Sequence, residues 1–419
     1  MVKGAKGGRD TGPSSSKDKI SLMGRHIAAR MHEGALRLPE GVFTSGEDEW
    51  WVQRRDGAVV LIPRAPDLSK LYLEPTTECP LACRTCVRHA WQDPTSRLGM
   101  ETYRHLLAET RAMPSLKRMV FGGIGEPICH PDLTEMIALA RERGLAVTLS
   151  TNGHLLNEHL SAELVRAGVD RLVVSLDGAD PGTYWDVRGA AMTAVLENIR
   201  YLNEAKRRLG SLLPSLEIEF VALRRNVGEL EALARLAGGL NASRVLVSHV
   251  LPHTEEMKDE RLYGREPAEP LRTVSWHVKA DAWVLWGMFD LPRMHWGAER
   301  RCPFVQDRAA VVGWDGGIAP CYALSHSYSY FAVDGRPKHV TRHTFGNITE
   351  ENLLDIWTGE EYCRFRSEVA SFRFPSCPDC DLRESCDLRA RNEACWGYSP
   401  SCADCLYAQD IVLCPGGGR

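Results

Sequence analysis

The sequence predicts an α/β protein, a partial (β/α)6 barrel followed by a cysteine-rich, metal-held domain. Three observations carry that expectation. Between residues 70 and 251, strand-like stretches alternate with helical ones, the pattern of a parallel sheet with right-handed crossovers. Unusual polar and glycine residues follow one strand after another, where parallel βα folds build their sites. Cysteine is also clustered: of 14, three lie at 79–86 and ten between 302 and 414, nine of them grouped as candidate ligands, with Cys129 and the helical-stretch Cys363 set aside.

Residues 1–18, rich in Gly, Ser and Lys, read as a disordered tail. A small β appendage is expected over 19–66, because Asp56-Gly57 between two apolar runs signals a tight hairpin. The barrel core is expected over 67–255. Lys70–Thr76 alternates as a strand, Tyr103–Met113 is helical, and Arg118–Gly122 is a short buried strand. Asp132 with Glu135 reads as a capping box for a helix whose apolar face is Leu133, Met136, Ile137 and Ala140. A helix over His159–Ala167 separates strands at Ala146–Thr151 and Arg171–Asp177. Helix Ala194–Arg208, strand Leu216–Leu223, helix Val227–Leu240 and strand Val245–Leu251 complete the alternation. The segment 256–300 connects, with Trp276, Trp283, Trp286 and Trp296 as core or interface residues and a short helix near Ala280–Met288. From 301 to 419, cysteines, glycines and short strands suggest the second domain.

Composition excludes several classes. The 51 basic and 55 acidic residues nearly cancel, so neither a nucleic-acid nor a membrane partner is expected. No apolar run approaches a membrane span, and a cytoplasmic protein is expected. In that reducing compartment, many cysteines point to metal or redox ligation rather than disulfides.

The chemistry centres on Cys79-x3-Cys83-x2-Cys86. A strand cannot aim these three thiols at one point, since alternate side chains face opposite ways; a loop can. Three thiolates on a four-iron cluster would leave one iron open to a ligand. The turn Gly122-Gly123-Ile124-Gly125-Glu126-Pro127 follows the second strand, Ser150-Thr151-Asn152-Gly153 ends the third, and Ser175-Leu176-Asp177 ends the fourth. A bare glycine turn admits close approach of a ligand, and the polar ends supply hydrogen bonds. Alone, the cysteine run could equally be a structural zinc site, and Ser175 and Asp177 could be helix caps.

These residues together resemble the radical S-adenosylmethionine (SAM) superfamily. The resemblance implies a partial TIM-like barrel and a [4Fe-4S] cluster on Cys79, Cys83 and Cys86, with an open iron for SAM. One electron from that cluster would cleave SAM to a 5′-deoxyadenosyl radical. Gly122, Gly123, Gly125 and Glu126 match the family's SAM-contacting turn. Ser150, Thr151 and Asn152 match its next strand end, and Ser175 and Asp177 the one after. Thr85 departs from the pattern, which has an aromatic residue before the third cysteine. No catalytic acid, base or hydrogen donor is identified by spacing.

The later order, Cys302-x13-Gly316-x4-Cys321 and then Cys377-x2-Cys380-x5-Cys386, resembles the SPASM extension of such enzymes. It implies two auxiliary [4Fe-4S] clusters. Ala390 stands where SPASM carries a cysteine, so Cys395, Cys402, Cys405 and Cys414 are the candidates for the remaining ligands. A zinc ribbon of Cys377, Cys380, Cys402 and Cys405 stays open. Together, these motifs resemble the maturases linked to tungsten-containing aldehyde ferredoxin oxidoreductases. That implies action on such an oxidoreductase or its tungstopterin cofactor, with ferredoxin or flavodoxin as electron donor. A peptide or sulfatase maturase, and a non-catalytic iron–sulfur carrier, are the alternatives.

Overall fold

The computed structural model describes residues 30–32, 35–37, 49–55, 58–91, 93–264, 289–393 and 399–414. The expected tail, the Asp56-Gly57 turn, the Ala280–Met288 helix and Cys395 fall outside these residues. The chain forms two compact units, 1–50 and 51–419. In the first, β1 (Arg30–His32) and β2 (Ala35–Arg37) pair antiparallel. β3 (Trp50–Arg55) and β4 (Ala58–Pro63) form the expected two-stranded sheet.

The larger unit is built on a parallel sheet. Its central strands are β5 (Lys70–Leu73), β6 (Arg118–Phe121), β7 (Ala146–Thr151), β8 (Arg171–Ser175), β9 (Ser215–Ala222) and β10 (Ala242–His249), each paired with the next in chain order. They are the six strands read from the sequence, shorter by one to three residues at several ends. β5 is buried throughout rather than on alternate faces. Parallel sheets are covered on both sides, so their strands need not alternate.

The crossovers run through α1 (Met100–Glu109), α2 (Leu133–Glu142), α3 (Glu158–Ala167), α4 (Pro181–Arg188), α5 (Met192–Arg208) and α6 (Leu230–Gly239). The apolar face expected for α2 is buried. Its capping box does not form. Asp132 stands at the N-cap, but its φ of −99° and ψ of 17° take its carboxylate away from the first N–H groups. Glu135 instead pairs with Arg104 of α1. α4 was not expected, although Asp180-Pro181 announces it. The Asp180 side chain accepts from the Gly182 and Thr183 N–H groups, and Gly189 ends the helix in the left-handed region.

α7 (Glu255–Asp259) follows β10, and both sheet edges are extended by later chain. β11 (Phe289–Asp290) adds parallel to β10. Beyond α8 (Pro303–Gln306), β12 (Ala309–Val312) adds parallel to β5, and β13 (Ile318–Ala319) runs antiparallel to β12. The cysteine-rich region thus contributes strands to the barrel sheet, within the same compact unit. A hairpin follows, β14 (Tyr328–Phe331) with β15 (Pro337–Val340). The chain around Cys363 is helical, broken at Gly359 into α9 (Leu353–Thr358) and α10 (Glu360–Ala370). Arg300 stitches the last third together: its guanidinium donates to the carbonyls of Gly297, Phe374, Pro375 and Ala403. None of the described helices is long and apolar enough to cross a membrane.

Candidate active site and metal centres

The loop after β5 carries Cys79, Cys83 and Cys86 to the C-terminal mouth of the sheet. They line a cavity of about 260 Å³ with Gly123, Gly125, Glu126, Ser150, Thr151, Asn152 and Ser175. All but Gly122 and Asp177 of the residues expected to act together are thus brought to one cavity. A larger surface cleft, about 600 Å³, lies between the ends of α5 and α6 and is lined by basic, neutral polar and apolar residues without a thiol or carboxylate.

Each sulfur of the triad faces its own N–H donor. Asn152 Nδ2 lies 3.6 Å from Cys79 Sγ, Arg188 Nη1 3.8 Å from Cys83 Sγ, and Arg88 Nε 3.2 Å from Cys86 Sγ. Burial pushes the Cys79 and Cys83 thiols up; Arg88 and Arg188, respectively, pull against that rise. Three converging sulfurs with amide and guanidinium donors suit anionic ligands of an iron–sulfur cluster, whose properties respond to hydrogen bonds to sulfur.

The glycine turn is held from behind. Gly123 has φ +119°, and a Cβ there would lie 2.5 Å from Glu74 Oε1. A Cβ on Gly125 would sit 2.0 Å from the Thr76 carbonyl oxygen. Both positions require glycine. The buried Glu126 carboxylate accepts from Thr151 Oγ1 (2.7 Å), the Asn152 N–H (2.7 Å) and the Ile128 N–H (3.1 Å). Burial raises its pKa, while these three donors favour its charge. Glu126 therefore ties the turn to the end of β7.

Behind the turn, Glu74 Oε1 accepts from the Ile124 N–H at 2.7 Å, and Glu74 Oε2 lies 2.8 Å from His326 Nε2. The other ring nitrogen of His326 meets Asp93 at 2.5 Å. Two carboxylate acceptors require both ring nitrogens to donate. Burial disfavours the His326 charge, but Glu74 and Asp93 overcome this and its pKa is raised.

Asp177 is not among the cavity-lining residues. It is fully buried and ion-paired to Arg188 Nε at 2.8 Å, off line for a hydrogen bond, while its Oδ1 accepts from the Val221 N–H at 2.8 Å. Ser175 does line the cavity and donates to Glu219 Oε2 at 3.1 Å.

Spacing alone missed several wall residues: Arg88, Arg188, Glu219, His249 and Tyr322. Glu219 is one of two charges in the strand run Leu216-Glu-Ile-Glu-Phe220; the other, Glu217, pairs with Arg171. Burial and the nearby Asp177 push its carboxyl up to about 7. His249 ends β10, where the strand-end rule used for the first four strands also applies. Arg188 went unseen because α4 did.

The C-terminal cysteines divide. Cys321, Cys402 and Cys405 face one small cavity of about 40 Å³, walled by Leu251, Tyr328, Tyr330 and Tyr407. Cys302 lies within electrostatic reach of this group. Cys377, Cys380 and Cys386 follow on successive short turns. Cys414 stands apart from them, between the barrel cavity and a second cavity of about 240 Å³ lined by Tyr72 and Asp307. Among the described residues, no three His, Cys, Asp or Glu side chains close around a single metal ion.

The family model described as the radical SAM superfamily matches residues 73–236, and the SPASM model, an iron–sulfur cluster-binding domain, matches residues 302–381. The chain belongs to the radical SAM superfamily. It is 35% identical over 348 residues to the tungsten-containing aldehyde ferredoxin oxidoreductase cofactor-modifying protein of Pyrococcus furiosus, covering 82% of this chain and 96% of that relative. It is 27% identical over 343 residues to a PqqA peptide cyclase of Xanthomonas axonopodis, covering 76% of this chain and 82% of the cyclase. Among solved structures, SuiB of Streptococcus suis bound to S-adenosylmethionine shares the fold, with a TM-score of 0.52 at 18% identity over 78% of this chain and 73% of SuiB. So does anSMEcpe with bound AdoMet and a Cp18Cys peptide, with a TM-score of 0.56 at 14% identity over 78% of this chain and 91% of that one. The protein is a radical SAM enzyme that uses a [4Fe-4S] cluster and SAM and carries auxiliary iron–sulfur clusters.

Proposed function

We propose that the enzyme matures a tungsten-containing oxidoreductase by modifying its tungstopterin cofactor or its polypeptide. One observation carries this reading: the 35% identity to the Pyrococcus cofactor-modifying protein extends over 96% of that relative. Cys79, Cys83 and Cys86 would hold the SAM-binding cluster. The Gly122–Glu126 turn, Ser150, Thr151 and Asn152 would line the SAM site, with Ser175 toward ribose or substrate. The bound pair supplies one-electron cleavage of SAM and hydrogen-atom abstraction from a substrate.

The chain's own part is positioning. Gly123 and Gly125 keep the backbone bare, Glu126 fixes the turn, and Arg88, Arg188 and Asn152 direct N–H groups at sulfur. Asp177 holds Arg188 in place rather than meeting a ligand. Ferredoxin or flavodoxin would deliver the electron.

The test is loss of the protein in a tungsten-using host. The oxidoreductase should then accumulate inactive, with a pterin or polypeptide mass different from wild type. An active oxidoreductase of unchanged mass would overturn the assignment. Peptide maturation is the second reading, favoured by the peptide-cyclase relatives. It predicts a mass change in a short peptide instead.

A further inference from the structure

We propose that Cys414 belongs to the substrate side of the barrel cavity rather than to an auxiliary cluster. With Glu219 and His249 it forms the wall that meets a substrate edge rich in N–H or O–H donors. This rests on the radical SAM reading of the cavity.

The first argument is the division of the thiols. Cys302, Cys321, Cys402 and Cys405 form one electrostatically linked group of four, enough to close one [4Fe-4S] cluster. Cys377, Cys380 and Cys386 follow on successive short turns, and Cys395 is the next cysteine in the sequence, which makes a second four by number. Cys414 is left over. Burial acts most strongly on its thiol, and the groups named next are Glu219, Lys70, Tyr72 and Asp307, none of them a cysteine.

The tail is anchored where it stands. The His249 N–H donates to the Ile411 carbonyl at 3.2 Å, and the Leu413 N–H to Ser248 Oγ at 2.9 Å. These bonds fasten residues 411–413 along the end of β10, and Cys414 follows directly into the cavity.

The second argument is independent of sulfur. His249 is 1% exposed, lines the same cavity, and neither ring nitrogen has a hydrogen-bond partner among the described residues. Buried polar atoms are normally satisfied, so a bare imidazole facing a cavity indicates a missing partner. A neutral imidazole offers one donor and one acceptor. Glu219 lines the same cavity, and Ser175 donates to its Oε2, leaving Oε1 for a further donor. A ligand edge with adjacent N–H or O–H groups would satisfy both residues while resting against the Cys414 thiol.

The experiment uses the full chain, reconstituted anaerobically with all clusters. Cys414→Ala should keep the wild-type iron content, about twelve per chain, and unchanged spectra of the reduced clusters. Cys405→Ala should lose about four irons. An unligated thiol keeps its proton and a cluster-bound thiolate does not, so the wild-type holoenzyme should show an infrared S–H stretch that Cys414→Ala lacks and that shifts when SAM is added. Loss of about four irons in Cys414→Ala would overturn the proposal. So would identical S–H spectra of wild type and Cys414→Ala. If Cys414→Ala fails to fold, iron content and S–H spectrum of Cys414→Val, closer in size, decide. Neither readout uses turnover, so absent SAM cleavage would count against the enzymatic reading and not against this placement.

Discussion

The two cysteine regions are built on opposite plans. Cys79, Cys83 and Cys86 lie on one loop, open to a cavity, with an amide and two guanidinium groups aimed at the sulfurs. Cys321, Cys402 and Cys405 are gathered from distant stretches behind tyrosine and leucine side chains, with Cys302 within electrostatic reach. An open three-thiol site suits ligand exchange at iron, whereas a closed four-thiol site suits holding a cluster and passing electrons. Number of ligands and access to solvent, rather than residue type, separate reaction from support.

The comparison breaks most visibly at the ligands. Ala at Cys79, Cys83 or Cys86 should reduce 5′-deoxyadenosine formation at least 10³-fold and remove about four irons per chain. Ala at Cys405 should remove as much iron yet leave measurable SAM cleavage. Equal loss of cleavage in both would erase the distinction.

Next in size is the support of the triad. Arg188→Met leaves Asp177 buried without its ion-pair partner and removes the donor facing Cys83. Breaking such a pair typically costs about 3–5 kcal/mol, read here as a lowered denaturation midpoint. Asp177→Asn with Arg188→Met should recover part of that loss. No recovery would mean that the pair is not what holds this wall.

Much of this site was legible because strand-end chemistry is written locally. The cysteine run, the glycine turn and Ser150–Asn152 each lie within a few residues of a recognisable strand. Residues whose roles depend on packing were not legible. Arg188 reaches Cys83 only because α4 folds over the loop. His326 reaches Glu74 from 252 residues away, and Cys414 returns to β10 from the far end of the chain. β12 was hidden for the same reason, since pairing across the sheet leaves no short-range signal. Asp132 shows the converse: the capping pattern was present, but the backbone angles did not let its side chain close.

Gly125→Ala is the next test. A methyl group 2.0 Å from a backbone oxygen must move the turn. A displacement of that kind should cost on the order of 10²-fold in kcat/KM for SAM. The auxiliary iron should stay in place.

The smallest effect is pH-dependent. His326 has a raised pKa in the folded state because it bridges Glu74 and Asp93. Its contribution to stability is fully present below the unfolded value of about 6.5 and is lost as pH rises through the folded value. Wild-type stability should therefore fall across that alkaline window more steeply than that of His326→Gln. Parallel pH profiles would show that the brace behind the glycine turn carries no charge.

The central claim is that the Cys79–Cys86 loop and the strand ends beside it form a SAM-cleaving site. Anaerobic reconstitution, reduction with dithionite, addition of SAM and quantification of 5′-deoxyadenosine test it most directly. The account predicts 5′-deoxyadenosine and methionine in equal amounts, dependent on both reductant and Cys79. A protein with its full iron complement that forms none would contradict it.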